Sequence, residues 1–123
     1  MTASRVVMTN LNRQVTAAIF RAERLAEGSW EAQAAYREVS VLEDAIARQT
    51  GTEDVDGILA RESAVRAALR AGECLRALSL ATRYLEEDSV PARLRALLTE
   101  LQLEADNALP DGSADVALAR MAT

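Results

Sequence analysis

The chain has 123 residues and a formal net charge of −5, and half of it is apolar although only 3% is aromatic. A chain of this length fits one domain and hides roughly two-thirds of its unfolded surface on folding. Its cations are all arginine, so the absence of histidine and lysine removes histidine-based triads, Glu-x-x-His di-iron sites, Schiff bases and the P-loop lysine.

Alanine and leucine dominate the apolar half, and both rank high in helix propensity. The expectation is an all-α fold of antiparallel helical hairpins, about five helices plus a short C-terminal one, arranged as a bundle or a tetratricopeptide-like array. Thr9 or Asn10 is placed to cap a first helix reaching Glu27, with Leu11, Val15, Ala18, Ile19, Ala22 and Leu25 on one face. Gly28 closes it, and Ser29 caps a second helix to about Gln49 with Ala35, Val39, Leu42 and Ile46 inward. Gly51 follows, then the acidic turn 52–57 and a third helix over 58–71 with Leu59, Ala60, Val65, Ala68 and Leu69 as its core positions. Gly72 breaks the pattern again.

The fourth helix, over 73–87, is apolar on two faces: Leu75, Leu78, Ala81 and Leu85 on one, Ala77, Leu80 and Tyr84 on the other. A helix apolar on two sides packs on two sides, so this one is expected at the centre. Ser89 and Pro91 open a fifth helix to about Ala108, with Leu94, Leu97, Leu98, Leu101 and Ala105 inward and Leu103 off that stripe. The turn 110–113 precedes a short segment carrying Val116, Leu118, Ala119 and Met121. The whole reads as a single helical domain over 1–123 with loosely ordered ends at 1–8 and 110–123.

The single cysteine, Cys74, excludes an intramolecular disulfide. At the start of the fourth helix it is a nucleophile candidate in principle, though a small apolar filler is the simpler reading. No apolar run approaches the ~20 residues of a membrane span, and the first residues lack a signal-peptide core. A cytoplasmic address is expected, without membrane association. The acidic balance weighs against nucleic acid as a partner, because counterion release from a polyanion requires cations.

Two carboxylate segments deserve comparison with known metal sites. In 52–57, Asp54, Asp56 and Gly57 fall where an EF-hand loop places its third, fifth and sixth residues, but Thr52 and Ser63 occupy the first and twelfth. An acidic turn ahead of a helix explains the segment without calcium. Glu86-Glu87 begins the Glu-Glu-x-x-Glu motif of the all-α nucleoside triphosphate pyrophosphohydrolases, which are similar in size and class. Val90 stands where the third glutamate belongs, and Pro91 follows.

Residues 72–85 resemble the second helix of a tetratricopeptide repeat. Gly72 matches the glycine that ends the first helix, Ala77 the small residue at the close approach, and Leu78 and Leu85 neighbouring apolar positions. The resemblance implies stacked hairpins forming a peptide-binding groove. It does not extend to the first helix, where Val65 and Ala68 replace the small and aromatic residues. A shift by the ~34-residue period meets Glu38 and Asp106 instead of glycine.

These readings favour a non-enzymatic protein–protein interaction module (an adaptor, a chaperone-like partner or a small subunit) that uses no cofactor and binds another protein or itself. Trp30, Leu80, Tyr84 and Leu103 are its candidate partner-binding residues, since aromatic and large apolar side chains carry most interface energy. The competing classes are an all-α carboxylate–magnesium enzyme of the pyrophosphohydrolase type and a nucleic-acid-associated regulator.

Overall fold

A computed structural model describes residues 5–109. It is all-helical: α1 (Arg5–Glu23), α2 (Trp30–Arg48), α3 (Val55–Arg70), α4 (Cys74–Leu85) and α5 (Ala92–Ala108). The segment with Val116, Leu118, Ala119 and Met121 lies outside the described residues.

The helix breaks follow local chemistry. Ser29 sits in extended backbone and its hydroxyl accepts the Ala32 amide at 3.2 Å, the expected N-cap. Gly72 has φ +75°, and its amide reaches Leu69 O while the Glu73 amide reaches Ala68 O. That pair of bonds is the Schellman closure, and only glycine takes the left-handed position without strain. Other boundaries move. The first helix begins at Arg5, so Thr9 and Asn10 lie within it and residues 5–8 are helical instead of loosely ordered. It ends at Glu23, because the Arg24 and Leu25 amides turn back to Arg21 O and Ala22 O in a tighter turn. Pro91 lies at the N-cap of α5 and not inside its first turn.

Consecutive helices are antiparallel, as the short links require. The end of α2 meets the start of α3 where Arg61 reaches Ala47 O, while Arg70 near the end of α3 meets Tyr36 early in α2. In order, α1 packs on α2, α2 on α3, α3 on α4 and α4 on α5, and α3 also touches α5. The centre is therefore α3 and not α4, a correction to the expectation from the two apolar faces. Tertiary arrangement decided this: α4 does pack on two neighbours, but Leu75 points to solvent, so its second face is narrower than its sequence pattern.

The core changes character along the array. Between α2 and α3 it is built of small residues, with Ala35, Ala47, Ala60, Ala64 and Ala68 all buried. Small side chains let two helix backbones approach closely. Between α4 and α5 it is built of Leu80, Tyr84, Leu94, Leu98 and Leu101. Ser40, fully buried, donates to Ala64 O at 2.8 Å and accepts from Arg76 Nε at 3.1 Å, linking α2, α3 and α4.

Candidate functional site

Three groups of residues stand out: a buried arginine, a buried carboxylate, and a band of apolar surface.

The buried arginine is Arg61, 3% exposed in the stripe of α3 that otherwise faces the core. It grips Glu87 through both carboxylate oxygens, at 2.8 and 2.9 Å. Its remaining donors reach the carbonyls of Ala47, Thr50, Gly51 and Gly57, and its guanidinium lies 5.7 Å from the Tyr84 ring centroid. Every N–H is occupied, so nothing is left to bind or polarise a ligand. Its action is to close the end of α2 and hold it against the end of α4. Thr52 reinforces that seam, its hydroxyl lying 3.1 and 3.0 Å from Asp88 O and Ser89 O.

Both metal comparisons from the sequence end at this seam. Helix α3 starts at Val55, so Asp56 and Gly57 are helical and no twelve-residue loop exists. Asp54 Oδ2 accepts the Gly51 amide and Thr52 is turned to the α4–α5 link. Glu87, half of the acidic pair, is held by Arg61. Among the described residues no group of three or more His, Cys, Asp or Glu is placed to hold a metal ion. Cys74 opens α4, half-buried.

The buried carboxylate is Asp44. One oxygen accepts the Tyr84 hydroxyl at 2.5 Å and a bond from Arg83, and the other accepts Arg48 Nε at 3.3 Å. Burial alone would raise its pKa, but these hydrogen bonds and the Arg83 charge outweigh burial and hold it below the usual value. Burial first, then Asp44, push the Tyr84 phenol upward, so it stays a proton donor. This is a polar lock between α2 and α4 with each partner satisfied.

The candidate site is the apolar band. Val55 is 72% exposed and Leu59 53%, one turn apart on α3. Leu59 borders two hollows. One, of about 170 Å³, lies between α1, α2 and α3, with Met8, Glu43, Ile46 and Asp56 around it. The other, of about 500 Å³, lies between α3 and α5 and is floored by Ile58, Leu94 and Leu97. Ala96 and Glu100 of that hollow also border a third, of about 630 Å³, with Leu78 and Leu103. Leu59 borders both of the first two hollows, and Ala96 and Glu100 border both of the last two, so the three adjoin as a grooved band that touches α1, α3, α5 and α4.

The sequence-selected residues are not brought together. Trp30 is 75% exposed at the first turn of α2 and lines none of these hollows, while Leu103, 61% exposed, borders the third. Leu80 and Tyr84 are corrections: both are buried in the α3–α4–α5 core, where no partner reaches them. Leu59 is a correction of the opposite kind, expected in the core and found in the groove. A signal for it existed. Leu59 and Ala60 are both expected inward, yet consecutive helical positions differ by ~100° and point to different parts of the helix surface.

No helix among the described residues is long and apolar enough to cross a membrane. The chain matches no family model, curated protein or solved structure. Function must be argued from the groove itself.

Proposed function

We propose that this chain is a non-enzymatic helical module that holds another protein in the groove across α1, α3 and α5. The observation that carries the reading is the exposure of Val55 and Leu59 over a floor of Ile58, Leu94 and Leu97. Isolated exposed leucines need no explanation, but two adjoining hollows with mainly apolar walls, those along α5, are the usual mark of a docking surface. The alternation of helices supports it as well. In an array in which each helix packs on its sequence neighbours, alternate helices line a common concave side, and stacked hairpins use that side for peptides. Trp30 lies apart from the groove and takes no part in this reading.

A photo-crosslinking residue placed at position 59, compared with one at position 75, tests it. Leu75 is more accessible, 71% exposed against 53% for Leu59, but lines none of the hollows. In the native host, position 59 is expected to give a discrete protein adduct that Leu97→Glu abolishes, with no adduct at position 75. Adducts at both positions, or at neither, would remove the groove as the interaction surface.

A further inference from the structure

The charges around the groove are one-sided. Glu43, Asp56, Glu62, Glu100 and Asp106 line the three hollows, against one arginine, Arg93. Glu62 is held by Arg66 at 2.8 Å, but the other four carboxylates form no ion pair among the described residues. Where α2 meets α4 the pattern is the reverse. Asp44 is bonded to Arg48 and Arg83, and Glu73 to Arg37. The lining of the three hollows thus carries five carboxylates against one arginine, and only one of the five is paired among the described residues.

We infer that the occupant of the groove is an amphipathic helical segment of another protein, with a leucine-type stripe flanked by arginine or lysine. This rests on the groove being the docking surface. The apolar floor takes the stripe at successive turns, the mode in which amphipathic helices seat in grooves. The open carboxylates then meet the flanking cations. Rim charges of this kind set partner choice and association rate more than affinity, and they exclude like-charged competitors. The same argument disfavours two other occupants. A second copy docked through the same face would set one acidic rim against another, and residues 110–123 carry Asp111 and Asp115 against Arg120, so both would bring negative charge to a negative rim.

The test uses the full chain and two synthetic helical peptides of about 15 residues with an identical leucine stripe, a length of about 22 Å. One peptide has arginine flanks and the other glutamate flanks. Binding is read by fluorescence anisotropy and located by amide chemical-shift mapping. The arginine peptide is expected to bind in the micromolar range and to weaken about tenfold between 50 and 300 mM salt, as screening predicts. It should shift amides of α3 and α5, lose binding with Leu59→Glu, and weaken about tenfold with Asp56→Lys and Glu100→Lys combined. Leu75→Glu should leave it unchanged. Equal binding of the glutamate peptide, still abolished by Leu59→Glu, would overturn the charge inference and leave the groove standing. Binding indifferent to Leu59→Glu, or no binding by either peptide, would overturn both. A concentration-dependent dimer that Leu59→Glu dissolves would assign the groove to a second copy. A tenfold gain in peptide affinity on truncation after Leu109 would assign it to the chain's own C-terminal segment. Either result would refute the inference.

Discussion

Replacing Arg61 by methionine keeps the volume of its stem and removes the guanidinium, isolating the seam at the end of α2. Removing one partner of a buried ion pair costs about 3–5 kcal/mol, because the other charge is left without compensation. Two features place this case at the lower end. The Glu87 side chain is 33% exposed, so water can solvate it once Arg61 is gone. Three of the four carbonyls also keep backbone donors: Ala47 O accepts the Thr50 amide at 3.2 Å, Gly51 O the Asp54 amide at 3.4 Å, and Gly57 O lies within the helical ladder of α3. Thr50 O loses the guanidinium with no such replacement, and a lost bond to a charged donor is worth about 1.5–3 kcal/mol. The expected loss is about 3 kcal/mol. With an unfolding entropy of about 2.1 cal/mol/K per residue, each kcal/mol lowers the melting temperature of a chain this long by about 4 °C, giving about 12 °C in all. Urea unfolding followed by circular dichroism measures the free energy, and calorimetry measures the melting temperature. Glu87→Gln keeps one acceptor oxygen but leaves the buried Arg61 cation with carbonyl partners alone, so it should cost about 2 kcal/mol. An Arg61→Met loss below about 1 kcal/mol would show that the seam does not depend on the buried guanidinium.

The remaining predictions concern the loop at the same seam and two adjacent carboxylates. Gly57→Ala should gain about 1 kcal/mol from helix propensity, yet the new Cβ would lie 1.9 Å from Gly51 O. Backbone cannot swing aside as a side-chain tip does, so the net effect is a loss of about 2 kcal/mol or more by urea unfolding. Asp44→Asn should cost about 2 kcal/mol at pH 7, since the hydrogen bonds it weakens run to a charged acceptor. Asp44 is held below its ordinary value of 3.8, so its contribution is present above that pH and is lost as pH falls through the lower folded value, where mutant and parent should converge. Glu43→Gln has the opposite sign. Burial raises the Glu43 carboxyl above 4.5, with the Ser63 hydroxyl offsetting part of the effect, so its protonated form favours the fold below 4.5 and that contribution is lost as pH rises through the folded value. The substitution should therefore stabilise the chain modestly at pH 7, by less than about 1 kcal/mol, and have no effect at pH 3. Melting curves from pH 2 to pH 8 check both, and a shared sign at neutral pH would refute the assignment.

Much of the fold was legible because its punctuation is local. Gly28 and Gly72 take positive φ, Ser29 caps the helix that follows it, and the leucines of α5 at 94, 97, 98, 101 fall on one face at helical spacing. Such features depend on neighbours within four residues, which a sequence displays directly. The start of α1 was missed for a related reason. Thr9 and Asn10 have capping side chains, but the backbone continued through them because the apolar spacing extends back to Met8, which packs on the core. Arg61 could have been noticed. It sits three and four residues from Ala64, Val65 and Gly57, inside the buried stripe of α3, where an arginine needs several acceptors to be tolerated.

The groove was harder to read because exposure depends on which helices α3 touches, and that is decided by tertiary packing. Leu59 and Leu69 look equivalent in a list of apolar positions, yet one faces the groove and the other packs on the core. The same holds for charge. Glu43 and Asp44 are adjacent in sequence and identical in formal charge. One turn of about 100° directs Asp44 toward Arg83 on α4 and leaves Glu43 beside the hollow under α1. The first is neutralised inside the array, whereas the second has the Ser63 hydroxyl but, among the described residues, no cation beside it. Net charge therefore describes this chain poorly. What a partner would meet is the set of carboxylates left without an ion pair among the described residues, and four of these, Glu43, Asp56, Glu100 and Asp106, lie beside the hollows next to which Val55 and Leu59 are exposed. That coincidence of open acid with open apolar surface is the reason for preferring a basic amphipathic helix over a second acidic copy, and it is a property of the packing of α3 rather than of composition.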